Sequence, residues 1–199
     1  MSTPASPGRI IGTLAAAGAF AGFALVFVHQ ATAPRIARNK AAALERAIRE
    51  VLHDPASYDT LYFVDGRLTP ETAPDAARVY RGRDADGKPV GFAIVAARPG
   101  FQDTVRLIFG YDPRTRRLLG MRVLESKETP GLGDKIEKDE AFVGQFEGTA
   151  TPLKGVPAGK RAADEEVDMI TGATISSRTV IRIINEALAR WGPLLEAAP

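Results

Sequence analysis

A chain of 199 residues, 45% of them hydrophobic, has room for one packed domain and an apolar extension. Its 26 basic and 24 acidic residues leave a net charge of +2, with no basic stripe interleaved with aromatics, which argues against a nucleic-acid partner. There is no cysteine, and the only histidines, His29 and His53, lie far apart. Iron–sulfur, Cys-ligated zinc, c-type haem and His-rich metal sites are therefore not expected, and any redox chemistry must rest on an organic cofactor.

Ile10 to Val28 form 19 consecutive residues without a charge. As a helix they span about 28 Å, close to the hydrocarbon thickness of a bilayer. A buried soluble helix would carry a polar stripe, and none is present. Ala31-Thr32-Ala33 has the form of a signal-peptide cleavage site, but the apolar run is long for a signal core and Pro34 follows directly, which favours an uncleaved anchor. Gly18 and Gly22, with Ala15 and Ala19 beside them, make a small-residue face that suits a second membrane helix. Counting Arg9 and the terminal amine against Arg35, Arg38 and Lys40 places the C-terminal domain in the cytoplasm by the positive-inside rule.

From Ile36 to Leu52, apolar residues at Ile36, Ala43, Ala47, Ile48 and Val51 recur at helical spacing, and Asp54-Pro55 ends the pattern. His53, just past that helix, reads as a surface histidine. Strands are predicted at Leu61–Val64, Ala77–Arg81, Pro89–Ala97, Asp103–Tyr111 and Arg117–Glu125, joined by turns at Asp86-Gly87, Arg98-Pro99-Gly100 and Asp112-Pro113. A short helix is expected at Glu140–Phe146 and an irregular connection from Thr149 to Glu166. A final helix is marked by Val180, Ile184, Ala187, Leu188 and Trp191, with Gly192-Pro193 as its stop. The predicted fold is α+β, an antiparallel sheet flanked by helices behind one transmembrane helix. Its expected parts are a tail over 1–9, an anchor over 10–28, a helical connector over 29–57 and a domain over 58–199.

Two motifs carry the chemistry. The first is Asp168-Met169-Ile170-Thr171-Gly172-Ala173-Thr174, directly before the final helix. A hydroxyl in a Gly-containing turn at a helix start is placed to hold a phosphate, because free N–H groups and the positive end of the dipole face it. On local grounds Thr171 or Thr174 could equally be an ordinary N-cap. The second block is Glu128-Thr129-Pro130-Gly131-Leu132-Gly133-Asp134-Lys135-Ile136, where proline stiffens the loop and the glycines widen its backbone choices.

Together these blocks resemble the FMN-binding domain shared by the G subunit of the Rnf electron-transport complex and the C subunit of the sodium-pumping NADH:quinone reductase. Length and the ending Thr-Gly-Ala-Thr-Ile-Ser-Ser-Arg look closer to the Rnf G subunit. The resemblance implies FMN attached through a phosphoester to Thr174, with Thr171, Gly172 and Ala173 shaping the turn and Asp168 as the motif's acid. From the residues themselves, Thr171, and Ser176 or Ser177 just beyond the motif, could bond the phosphate oxygens or cap the helix. Glu128, Thr129, Leu132 and Gly133 would meet the ring. Lys127, Lys154 and Arg161 are available to place positive charge near it.

Departures from the family are Ser126 in place of a histidine, Phe142 in place of a tryptophan and Glu165-Glu166 in place of a Gly-Gly pair. The implied role is an electron carrier in a membrane redox pump running between ferredoxin and NAD, one component of an ion translocase with no catalytic residue beyond the flavin. The implied setting is the bacterial inner membrane, single-pass, with the flavin domain periplasmic, opposite to the charge count. Implied partners are the other membrane subunits, the lipid bilayer and a flavin transferase. The alternative is a free-standing anchored flavoprotein, acting as a regulator or as electron donor to a periplasmic reductase. A non-redox tether whose threonine is only a helix cap is a further alternative.

Overall fold

A computed structural model describes residues 6–73 and 76–197. By its internal contacts the chain forms two compact units, Met1–Ala43 and Leu44–Pro199. From Pro7 onward the first is part of α1 (Pro7–Val51), the one helix among the described residues long and apolar enough to cross a membrane. Phe20, Phe23, Leu25 and Phe27 along it are all more than 60% exposed, an arrangement water does not favour and lipid does. Thr13 and Thr32 turn their hydroxyls back onto the carbonyls of Arg9 and Val28, at 2.8 Å each, so neither presents an unsatisfied donor. Pro34 lies inside α1 rather than at a break, and it leaves the Gln30 carbonyl without its helical donor.

In the second unit, α1 ends where His53 and Asp54 both adopt positive φ. The Asp54 N–H closes on the Arg49 carbonyl at 2.8 Å, a left-handed C-terminal cap. His53 faces solvent with its Nε2 3.5 Å from Glu147, as its position past the helix suggested.

Six strands follow in one antiparallel sheet: β1 (Ser57–Val64), β2 (Arg67–Thr69), β3 (Arg78–Arg83), β4 (Pro89–Pro99), β5 (Thr104–Asp112) and β6 (Arg117–Glu125), in spatial order β2-β1-β3-β4-β5-β6. The period of two sorts their side chains. Phe92 and Ile94 on β4, with Leu107 and Phe109 on β5, face one core, where they meet Phe142, Phe146, Ile183, Ile184 and Trp191. Ala93 and Ile108, between them in sequence, face a second core built with Ala47, Ile48 and Val51 from the end of α1. Both faces of the sheet are therefore covered.

The five predicted strands are present, and β6 has the predicted bounds. The three-residue β2 was not expected; it pairs with β1 across a tight turn at Asp65-Gly66, both with positive φ. Beyond the sheet lie α2 (Lys135–Lys138) and α3 (Glu140–Gly144), the latter capped by the Asp139 carboxylate on the amides of Ala141 and Phe142.

Two expectations need correction. The segment after Thr149 is not wholly irregular: β7 (Lys154–Pro157) pairs in parallel with β8 (Glu166–Met169). The final helix α4 (Thr174–Glu196) continues through Gly192-Pro193. Trp191 and Leu195, 5% and 1% exposed, continue its buried stripe across that pair, and their burial outweighs the lost hydrogen bond at Pro193.

Candidate functional site

The two motif blocks meet. Glu128 to Gly133 and Gly172 to Ser176 line a single cleft of about 320 Å³, together with Phe101. Thr174 is the first residue of α4, and Ala173 stands at the cap position, so no side chain closes that helix end, nor does an acidic residue lie in the first turn. The Thr174 side chain is exposed, and no hydrogen bond engages its hydroxyl among the described residues. Neither Thr171 nor Thr174 serves as a helix cap, which removes the ordinary explanation of the motif.

The turn before the helix is held from within. Ser177, fully buried, accepts from the Ile170 N–H at 3.1 Å and donates to the Ala173 carbonyl at 3.0 Å. Gly172 takes φ +83 to complete it.

Ser176 is also buried, and its hydroxyl donates to Glu128 Oε2 at 2.5 Å. The other oxygen, Oε1, accepts the backbone N–H groups of Phe101 and Gln102, each at 3.0 Å. Glu128 is 5% exposed, so this one carboxylate joins three distant segments: the loop after β4, its own block and the first turn of α4. Space around it is fully used. A Cβ on Gly133 would come within 2.7 Å of Glu128 Cβ, and one on Gly100 within 2.5 Å of Oε1. The two glycines are required by that approach. Ser126 accepts from the Glu128 N–H at 3.2 Å, and Thr129 Oγ1 donates to Gln102 Oε1 at 3.0 Å.

Burial pushes the Glu128 carboxyl up, but the Ser176 hydroxyl and the amides of Gln102, Asp103 and Phe101 outweigh it and hold the group below the ordinary value of 4.5. A depressed folded-state value contributes stability that is present above the unfolded pKa and lost as pH falls through the folded one. Acid titration of the domain, followed by circular dichroism, is expected to show stability falling below about pH 4.5. Glu128→Gln should flatten that fall.

Other predicted residues lie elsewhere. Asp168 sits on β8, outside the cleft, where its Oδ1 accepts the amides of Lys160 and Arg161 at 3.0 and 3.1 Å. Its own peptide is gripped by Gln145, which accepts from the Asp168 N–H at 2.8 Å and donates to its carbonyl at 3.3 Å. Asp168 thus holds the loop after β7. It shares with Thr171 a second depression of about 480 Å³ on the other side of the turn. Lys154 pairs with Glu166 at 2.7 Å and Arg161 reaches Thr149, so neither lines the cleft. Lys127 pairs with Asp103 at 3.3 Å, within the segments that Glu128 joins. Phe142 is buried in the core against Phe146.

The sequence reading passed over Phe101, Gln102 and Ile175. Phe101, Leu132 and Ile175 are 66%, 50% and 51% exposed, and all three line the cleft. Outside α1, Val64 is the one other exposed large hydrophobic among the described residues. Such a concentration marks a binding surface. The cleft therefore joins an apolar rim to a free hydroxyl at a helix start, which suits a flat aromatic ring system bearing a phosphate.

Comparisons with known proteins agree. Residues 100–189 match the model of the FMN-binding domain, which takes in both motif blocks, the Phe101 loop and most of α4. The G subunit of the ion-translocating oxidoreductase complex of Pseudomonas aeruginosa is 35% identical over 182 residues, covering 85% of this chain and 82% of that one. Its counterpart in Methanosarcina acetivorans is 28% identical over 180 residues, covering 90% and 92%. Among solved structures, Shewanella oneidensis NqrC superposes with a TM-score of 0.70 at 18% identity, covering 81% of this chain and all of that one; it shares the fold. By its match over most of its length to relatives of this kind, the chain belongs to the family of G subunits of ion-translocating oxidoreductase complexes and carries that family's FMN-binding domain.

Proposed function

We infer that this chain is the FMN-carrying electron-transfer subunit of a Rnf-type membrane complex, with the cofactor held by a phosphoester bond to Thr174 Oγ1. The observation that carries this reading is the Thr174 hydroxyl, exposed and unengaged at the start of α4, on the same cleft as the second motif block. The bound flavin would supply the acceptance and release of electrons. The chain's own residues do the rest. The N-terminus of α4 favours the phosphodiester's single negative charge by about 0.3–1 kcal/mol. Leu132 and Ile175 offer apolar surface to the ring, and Gly172 keeps the approach to Thr174 open.

Attachment needs an activated flavin, because joining a free phosphate to an alcohol would have to expel water into water. With a flavin dinucleotide as donor, Thr174 Oγ1 forms a bond to the flavin-side phosphorus and the phosphoanhydride bond breaks. The nucleoside monophosphate leaves, and the hydroxyl proton goes to solvent. A separate transferase is the partner for that step. The turn carrying Thr174, with Asp168 on its far side, is the feature it would read.

The domain division follows the sequence: tail 1–9, anchor 10–28, connector 29–57 and FMN-binding domain 58–199. Ile10 to Val28 lie in lipid as a single span, with the domain on the periplasmic side and the Gly18–Gly22 face toward another membrane subunit. The complex passes electrons between ferredoxin and NAD and moves an ion.

The test is the mass of the natively produced protein and of its Thr174 peptide. Both should exceed the bare polypeptide by FMN less one water, and the denatured band should fluoresce yellow under ultraviolet light. A polypeptide of unmodified mass, produced alongside its transferase, removes the assignment.

A further inference from the structure

Of the surfaces that the attachment site does not explain, the loop after β4 is the most informative. Phe101 stands there two-thirds exposed, yet its backbone is tied to a buried side chain. Its N–H and that of Gln102 both end on the buried Glu128 carboxylate at 3.0 Å. The Gly100 N–H closes on the Asp103 carbonyl at 2.8 Å, and the Gln102 side chain receives the Thr129 hydroxyl. Burying a carboxylate is costly unless it is fully bonded, so a loop tip secured in this way is placed rather than left to solvent. Through Ser176 the same carboxylate is fixed to the first turn of α4, one residue from Ile175 and two from Thr174. Position 101 is thus indexed to the attachment point by two hydrogen bonds and the side chains of Glu128 and Ser176.

The geometry points to Phe101 as the aromatic wall of the flavin cleft, packing its ring against the isoalloxazine, with Glu128 as the residue that positions it. The assignment rests on FMN being attached at Thr174. Leu132 and Ile175 can supply apolar contact to a flat ring, but of the three exposed residues only Phe101 can stack on it. Stacking also explains why a phenyl group is kept in water at 66% exposure when the cleft beside it could have been lined by a small polar residue. Glu128, with both oxygens occupied, acts on the ring through the Phe101 loop and not by contact.

The test exploits photochemistry. An indole in van der Waals contact quenches an excited flavin by electron transfer, whereas a phenyl ring does not. Full-length, membrane-extracted protein is produced with its transferase, and each variant's flavin content is fixed by intact mass before measurement. Phe101→Trp is expected to shorten the flavin fluorescence lifetime several-fold. Val64→Trp, exposed in the same domain but outside the cleft, leaves the lifetime unchanged. Phe101→Ala is expected to raise the rate of iodide quenching several-fold by uncovering the ring, and it reports independently should the tryptophan variant not accumulate. A flavin-loaded Phe101→Trp protein with the wild-type lifetime, or Phe101→Ala with unchanged iodide access, overturns the wall while leaving the Thr174 bond intact. Wild-type protein without flavin by mass overturns both.

Discussion

Thr174→Ala is expected to abolish covalent flavin completely while the fold survives. The hydroxyl bonds no protein group among the described residues, the side chain is exposed, and alanine is the better helix former at that position. The stability change should stay within about 0.5 kcal/mol. The expected readout is loss of all fluorescence from the denatured band, with a circular dichroism spectrum matching that of flavin-free wild type. Thr174→Ser, which keeps a hydroxyl at the same place, should retain at least partial loading. Thr171→Ala, on the other side of the turn, should remain loaded. Yellow, mass-shifted Thr174→Ala protein would falsify the attachment site. A Thr174→Ala protein that fails to fold would contradict the exposure on which the assignment stands.

The second large effect concerns Glu128. Glu128→Ala strands the amides of Phe101 and Gln102 and the Ser176 hydroxyl at a site with little access to water. With hydrogen bonds to a charged group contributing about 1.5–3 kcal/mol each and never fully additive, the loss should be about 3 kcal/mol, read from urea unfolding of the flavin-free chain. Glu128→Gln keeps an acceptor for the two amides and offers an N–H₂ to Ser176, so it should cost about 1 kcal/mol. Thr129→Ala, next along the chain but only half-buried and bonded to a single neutral side chain, should change little. Equal effects at 128 and 129 would show that the buried carboxylate is not what joins the three segments.

Much of this architecture was legible because it is local. The apolar runs of Pro89–Ala97 and Arg117–Glu125, bounded by turn residues, are a short-range signal, and so is the stripe from Val180 to Trp191. Where sequence reading failed, long-range packing overrode a local rule. Gly192-Pro193 is a sound stop signal, yet Leu195 lies beyond it with a core site to fill. Lys154–Pro157 and Glu166–Met169 offer four residues each, too few for a period to show, and they become strands only by finding each other in parallel.

The site divides in the same way. Thr174, Leu132 and Gly133 belong to contiguous motifs and were legible. Phe101 was not, because the bond that places it joins residues 27 apart in sequence. Ser176 and Glu128 were each singled out, but their partnership was not, for the same reason.

One feature of α4 bears on how such a protein matures. Its first turn has neither a capping side chain nor an acid, although an N-cap residue commonly contributes about 1 kcal/mol to a helix. Before the cofactor arrives, the free N–H groups at that end rely on solvent, although Ser176 and Ser177 hold the turn itself through Glu128 and the Ala173 carbonyl. A phosphodiester on Thr174 would fill the vacancy that sequence left there. Cofactor loading would then reinforce a helix already formed, and loaded protein is expected to melt slightly above flavin-free protein.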